Sequence, residues 1–356
     1  MKICVIGGGN IGTLLTAEFS FRGYDTYLYT KNTSQWDDSI SVFDRNDNLL
    51  FVAHNYVVTS HLEKAVFNAD YIWITYPAFM FAELAEQLLP LITKEQIIVC
   101  VPGSGGAEFS FSRIIEKGVQ FCGLQRVHCI TRIKEKGKSV YALGRKESVY
   151  LGAFPSNSSL VLSNKISDLL LLPCVPLPNY LCVTLTPSNP ILHTSRIYSM
   201  FRNYGNDIFY DHNYLFYEEW NNEASEILFS CDDELQSICR FLNSFDLVSV
   251  ISLKEHYDSY SVEALTKKIS SIESFRGITS PMLLTEKGWI PDFNSRYFKS
   301  DFSFGLKVLI EIASMIGCAV PTMKLIWNWY VNLNPKEKEN SFIMDKMGWK
   351  QLYKRK

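Results

Sequence analysis

The spacing of apolar residues changes character once along this chain. Before about residue 186, short apolar runs alternate with amphipathic stretches, the rhythm of strands and helices in an α/β sheet. Lys2 to Ile6 predicts a first strand, Leu14, Leu15, Ala17 and Phe19 mark a helix, and Thr26 to Tyr29 predicts a second strand. Asp70 to Thr75 and Ile97 to Val101 predict two more buried strands, with a helix from about Ala82 to Leu91 between them. Ser139 to Leu143 and Ser148 to Ala153 are expected to extend the same sheet. After Leu181 to Thr186 come Pro187, Asn189 and Pro190, and strand patterns cease. Glu223 to Leu242, Phe304 to Ile316 and Met323 to Val331 carry apolar residues at helical spacing. The boundary therefore falls near Thr186, with an α/β half before it, a helical half after it, and a site expected where two such halves meet.

The loop after the first strand adds chemistry to this frame. Gly7, Gly9 and Gly12 fall at G-x-G-x-x-G spacing, with Asn10 and Ile11 inside the turn, and strand, glycine turn, helix and strand follow in order. Gly7 permits the tight turn, Gly9 lets a pyrophosphate approach the backbone, and Gly12 lets the helix pack close to the strand. The phosphates would sit on the helix N-terminus, where unpaired N–H groups favour negative charge. The fold class expected is α/β: a Rossmann-type dinucleotide-binding domain with a mainly parallel sheet over 1–186, then an all-helical domain over 187–356. Pro77 and Gly103, in the loops after the next two strands, stand at carboxyl strand ends where such sheets bind their ligands. Where NAD sites place a carboxylate, this chain reads Thr30-Lys31-Asn32-Thr33-Ser34, with none before Asp37. A cation among hydroxyls and amides suits a ribose 2′-phosphate, so NADP(H) is preferred over NAD(H), with Lys31 on the phosphate and Thr30, Asn32 or Ser34 donating to it.

Composition narrows the class. At 356 residues the chain fits two domains, and 35 basic against 37 acidic residues give no reason to expect nucleic acid or an anionic membrane. The basic end, Lys350 with Lys354-Arg355-Lys356, reads as a solvated terminus. Nine cysteines are scattered singly without zinc-like spacing, so no metal is expected and a reduced, cytoplasmic protein is. Met1 leads directly into a core strand, leaving no room for a signal peptide, and no apolar run is long enough to span a membrane. The apolar C-terminal helices leave room for a homodimer.

Among six histidines, His193 stands out by position. Asn189 suits a helix cap and Pro190 a first helical position, which puts His193 in an opening turn just past the hinge. A positive helix end lowers a histidine's pKa, so such an imidazole needs a carboxylate to hold a proton near neutrality. Asp301, just before a helix expected from about Phe302, is one candidate; a cap for that helix is its other reading.

Gly-Gly-Gly-Asn-Ile-Gly at the start, Asn189-Pro190-Ile191-Leu192-His193 at the hinge, and Arg296-Tyr297 to Asp301 followed by Phe304-Gly305-Leu306 resemble the opine dehydrogenases of the octopine/nopaline type. Val101 to Gly106, Arg126 to Lys146 and Pro321-Thr322 resemble further family segments in the same order. The resemblance implies reductive condensation of an amino acid amine with a 2-oxo acid through an imine reduced by NAD(P)H. It implies a His–Asp pair for the proton chemistry, here His193 and Asp301, with Asp301 orienting the ring and stabilising its charged form. Substrate carboxylates need cationic forks, and Arg132 is the first candidate, Arg196 the second. Arg296 is read as tying its own loop. Ser300 and Thr194 depart from the family's usual residues at those places. Two other readings stand beside this one: a 2-oxo acid, ketopantoate-type or glycerol-3-phosphate-type dehydrogenase on the same plan, and a nucleotide sensor without turnover.

Overall fold

The structure, a computed structural model, describes residues 1–205, 207–344 and 346–353. Lys354, Arg355 and Lys356 of the basic end lie outside the described residues. The chain divides into two compact units, Met1–Thr184 and Leu185–Lys356.

In the first unit, β1 (Lys2–Ile6) and β2 (Asp25–Tyr29) flank the helix Asn10–Phe21. Three short strands follow: β3 (Ile40–Phe43), β4 (Leu49–Ala53) and β5 (Tyr56–Thr59). Next come β6 (Tyr71–Ile74), β7 (Ile97–Cys100), β8 (Gln120–Leu124), β9 (Cys129–Glu135), β10 (Ser139–Arg145), β11 (Val149–Phe154) and β12 (Cys174–Pro176). The main sheet has eight strands in the order β12-β11-β8-β7-β6-β1-β2-β5. All its pairs are parallel except β11 with β8. β6, β7 and the Ile3 to Ile6 part of β1 read as unbroken apolar runs because both faces of a parallel sheet are covered.

Of the two late β pieces, Val149–Phe154 does extend this sheet. Ser139–Arg145 instead joins a separate sheet, ordered β4-β3-β10-β9. That sheet explains why the Asn10–Phe21 helix is buried nearly all round. Leu15 and Phe19 pack with Ile3, Val5 and Trp73 of the main sheet, while Leu14 and Ala17 pack with Ile40, Val42 and Val140 of the small one. A helix sandwiched this way has no polar face to spare. Its one buried acid, Glu18, is bonded to His128 and Arg145; burial opposes its ionisation, but those two partners hold its carboxyl below the usual range.

The second unit is helical, with one addition to the sequence expectation: the hairpin β13 (Met282–Thr285) and β14 (Gly288–Pro291). Its main helices are Asn189–Phe201, Asn222–Phe241, Val262–Ser270, Lys307–Ile316 and Pro321–Leu333. Asn221 caps the second by accepting from the Ala224 N–H at 3.0 Å, and Ser261 caps the third from Ala264 at 3.2 Å. Glu234 reaches across to accept from the Thr322 and Met323 N–H groups, at 2.6 and 2.9 Å, closing the start of the last helix.

Candidate active site

The glycine turn of the first unit is built from backbone. Gly7 takes φ +113°, a region that L side chains rarely adopt, and its N–H bonds the Tyr29 carbonyl at 3.0 Å. A Cβ on Gly12 would fall 1.7 Å from the Gly7 carbonyl oxygen, so only glycine lets the helix start this close to the strand. A Cβ on Gly9 would meet nothing within 4 Å, and Gly9 is the N-cap of the Asn10–Phe21 helix with no side chain closing it. That is an open approach to unpaired N–H groups, and it fits a dinucleotide pyrophosphate.

The residues around the turn divide. The Asn10 side-chain oxygen accepts from the Ile133 N–H at 2.8 Å, tying the helix start to β9, and Ile11 is partly buried against the main core. Thr30 continues β2 by bonding the Thr59 carbonyl at 3.0 Å, while Lys31 and Asn32 are exposed ahead of the 3-10 turn Thr33–Gln35. Pro77 follows β6 and opens the 3-10 turn Ala78–Met80. Gly103 follows β7, and a Cβ there would lie 2.7 Å from both Gly123 Cα and the Tyr180 hydroxyl, so close strand packing requires it. Arg132 is exposed on β9, with Nη1 bonded to the Thr131 carbonyl at 2.9 Å. Sequence reasoning missed Lys136, whose ammonium bonds the Gly8 carbonyl inside the turn. Burial lowers its pKa. The turn after β9 that delivers it had no motif to announce it.

In the second unit, His193 is 3% exposed on the Asn189–Phe201 helix. The cap position is Ser188 rather than Asn189, with Pro190 second in the helix, where its missing N–H costs nothing. Asp301 does not cap a helix. It lies inside Tyr297–Leu306, a wide π-wound segment broken at Phe304 (φ −126°, ψ 15°), because the helix expected from about Phe302 begins earlier and in a different winding. A Cβ on Gly305 would stand 3.0 Å from Pro190 Cβ, so this glycine sets how closely the two segments approach. That approach brings Asp301 Oδ2 to 2.8 Å from His193 Nδ1.

The opposite ring nitrogen, Nε2, lies 2.8 Å from the Tyr217 hydroxyl. Tyr297 and Phe216 rings stand 4.6 and 5.4 Å from the imidazole centroid. An ionised carboxylate only accepts, so Nδ1 carries a proton, and in the neutral ring Nε2 is the basic atom. The stretch from Tyr204 to Trp220 is rich in aromatics, and of these Phe216 and Tyr217 stand against the imidazole.

Arg196 is corrected. It is 3% exposed, donating through Nε to the Phe216 carbonyl at 3.0 Å and through Nη2 to the Glu219 carbonyl at 2.7 Å. Burial pushes its pKa down to about 10. A fork committed to the main chain is an anchor for the loop that carries Tyr217, and it does not present a bidentate face to a substrate. Arg296, expected to tie its loop, is exposed at the head of the π-wound segment, with no side-chain hydrogen bond among the described residues.

A glycine-turn α/β unit followed by a helical unit holding a buried His–Asp pair defines the class of two-domain NAD(P)-dependent oxidoreductases. Residues 176–334 match the family described as NAD/NADP octopine/nopaline dehydrogenase, alpha-helical domain, and residues 2–136 match the NAD-dependent glycerol-3-phosphate dehydrogenase N-terminus. The chain is 29% identical to tauropine dehydrogenase of Arabella iricolor, over 94% of this chain and 92% of that one. It is 23% identical to octopine dehydrogenase of Pecten maximus, over 92% and 89%. An octopine dehydrogenase structure with NADH and L-arginine shares the fold at a TM-score of 0.82 and 22% identity, over 94% of this chain and 89% of that one. Over nearly its whole length the chain is similar to opine dehydrogenases, and residues 176–334 match the helical domain of the octopine/nopaline type.

Proposed function

We propose that this chain is an NAD(P)H-dependent opine dehydrogenase that condenses an amino acid amine with a 2-oxo acid and reduces the resulting imine. The observation that carries the reading is the 2.8 Å contact between His193 Nδ1 and Asp301 Oδ2. The residues that would hold the coenzyme are Gly7, Gly9, Asn10, Ile11 and Gly12 at the turn, with Pro77 and Gly103 in the loops after β6 and β7. When bound, the coenzyme supplies a hydride to the imine carbon. Asp301 fixes the imidazole through Nδ1 and stabilises its charged form, leaving Nε2 to hold the proton that the imine nitrogen requires. Arg132 is the cation proposed for a substrate carboxylate.

NADP(H) is the preferred coenzyme on this reading. Lys31 and Asn32 are exposed at the end of β2, and the nearest following carboxylates are Asp37 and Asp38. The nine free cysteines suit a reducing compartment, and we place the protein in the cytoplasm. The other dehydrogenase readings are weaker, because the glycerol-3-phosphate dehydrogenase match covers only residues 2–136 and a ketopantoate reductase structure shares the fold at a TM-score of 0.64 with only 12% identity.

The test is NADPH and NADH oxidation with a panel of 2-oxo acids, with and without an added amino acid, and with product mass recorded. Turnover is expected only when amine and 2-oxo acid are both present, and faster at low coenzyme with NADPH. Oxidation that proceeds equally well without amine ends the reading. In His193→Ala, coenzyme binding should persist while turnover drops by roughly 10²–10⁴-fold.

A further inference from the structure

The hairpin between β9 and β10 delivers a cation to the glycine turn. Its tip is pressed onto the segment after β2: a Cβ on Gly137 (φ +75°) would fall 1.7 Å from the Gln35 carbonyl oxygen, and the Gly137 carbonyl accepts from the Asp37 N–H at 3.2 Å. From that tip the Lys136 ammonium donates to the Gly8 carbonyl and stands 5.6 Å from the centroid of the Trp36 ring. Gly8 also meets the end of β2, since a Cβ on it would lie 2.5 Å from Trp36 Cζ2 and 3.3 Å from the Thr30 hydroxyl oxygen. The buried Trp36 indole N–H has no acceptor among the described residues. The three lysines of the hairpin differ in their company. Lys134 is paired with Asp47 and Lys138 with Glu135, whereas Lys136 makes no ion pair among the described residues. An ammonium has three protons to donate, and this one, partly withdrawn from water, bonds a neutral carbonyl. Ammonium, hydroxyl and indole N–H gathered at one glycine, with no carboxylate paired to them, make a site for an anion.

We propose that Lys136, with Thr30 beside it and Trp36 as its floor, is the principal cation for the ribose 2′-phosphate of NADPH, so that coenzyme choice is made by the small sheet and not by Lys31. This rests on the NADP(H) reading above and sharpens it. The open N–H groups after Gly9 face a pyrophosphate, and Gly8 lies against the end of β2, where this motif seats the adenosine ribose. Lys31 is exposed on the way to the 3-10 turn Thr33–Gln35, and a solvated lysine gains little from an ion pair. Lys136 is already held in place and has shed part of its water, so a phosphate costs it less freedom and less hydration. A coenzyme with only a 2′-hydroxyl leaves the ammonium on the Gly8 carbonyl and draws nothing from its charge. The difference between the two coenzymes therefore falls on one side chain.

Binding is read without turnover, from coenzyme fluorescence for NADPH and NADH and from calorimetry for adenosine 2′,5′-bisphosphate and ADP. Lys136→Met keeps the stem and removes the charge. It should weaken NADPH and the bisphosphate roughly tenfold or more, and NADH and ADP by no more than about twofold. Lys31→Met should change all four by less than about threefold. Lys136→Gln, which keeps a donor for the Gly8 carbonyl, should repeat the contrast of Lys136→Met, and NADH binding in each sample reports an intact turn. Equal losses for NADPH and NADH in both Lys136 variants would make this lysine a brace of the turn and overturn the proposal. So would unchanged NADPH binding, a loss carried by Lys31→Met alone, or a wild type that binds NADH as tightly as NADPH. Amine-dependent turnover is scored separately: its absence beside selective NADPH binding ends the opine reading and leaves this assignment standing.

Discussion

The turn of the first unit and the pair of the second are made of different material. The turn is backbone: among four glycines within six residues, Gly7 has positive φ, Gly12 has no room for a Cβ, and Gly9 faces open space. The pair is side chain: an imidazole and a carboxylate 108 residues apart, brought to 2.8 Å by two packed helical segments. A backbone site fails when an atom is added. A side-chain site fails when an atom's charge is changed, with the fold untouched. Substitutions can therefore separate the two.

The largest effect is expected at Gly12. In Gly12→Ala the new methyl must displace the Gly7 carbonyl, which belongs to the main chain and cannot rotate away. Overpacking costs roughly 1–3 kcal/mol, and a backbone neighbour puts this case at the upper end. Both the melting temperature and the affinity for NADPH should fall. Gly9→Ala sharpens the point, since its methyl meets no protein atom within 4 Å. Its melting temperature should hold while NADPH binding weakens. Calorimetry with coenzyme titration reads both, and equal stability loss in the two variants would break the distinction between packing and approach.

Asp301→Asn comes next. The amide preserves the shape of the contact with Nδ1 but removes the negative charge that, on the proposed mechanism, stabilises imidazolium, so kcat should drop by about 10²-fold or more. KM for coenzyme and the melting temperature should change little. A fully active variant would mean that the carboxylate is only scaffolding.

These two variants also mark what the sequence could and could not say. The turn was legible because its residues are adjacent and each glycine has a local task. β3, β4 and β5 were not, because four- and five-residue strands with half-buried patterns offer too few positions to show a period. His193 and Asp301 were singled out through position and family likeness, and the fold brings them into contact, but the π winding at Asp301 was read as an ordinary helix start, since a period of 3.6 was assumed for Phe304 onward. Tyr217 stayed hidden in a run of aromatics where any ring could fill the core. Only the fold distinguishes the one whose hydroxyl meets Nε2.

The smallest effect tests whether the helical unit's chemistry belongs to one carboxylate or to any buried one. Asp232, on the Asn222–Phe241 helix, is fully buried, with Oδ2 accepting from the Leu253 N–H at 2.8 Å. Burial pushes its pKa up to about 6. A carboxyl whose folded pKa lies above its unfolded value favours the folded state while protonated. That contribution is complete below the unfolded pKa and is lost as pH rises through about 6. Asp232→Asn keeps an acceptor for Leu253 and carries no charge at any pH. It should therefore raise stability above pH 6 by about 1–2 kcal/mol, with no gain below about pH 4, where the native carboxyl is neutral. Turnover at its pH optimum should stay within twofold or so of wild type, because this group contacts neither His193 nor Asp301. A stability gain independent of pH would show that packing, not charge, limits this position; a large loss of turnover would show that proton chemistry in the helical unit is shared beyond the His193–Asp301 pair.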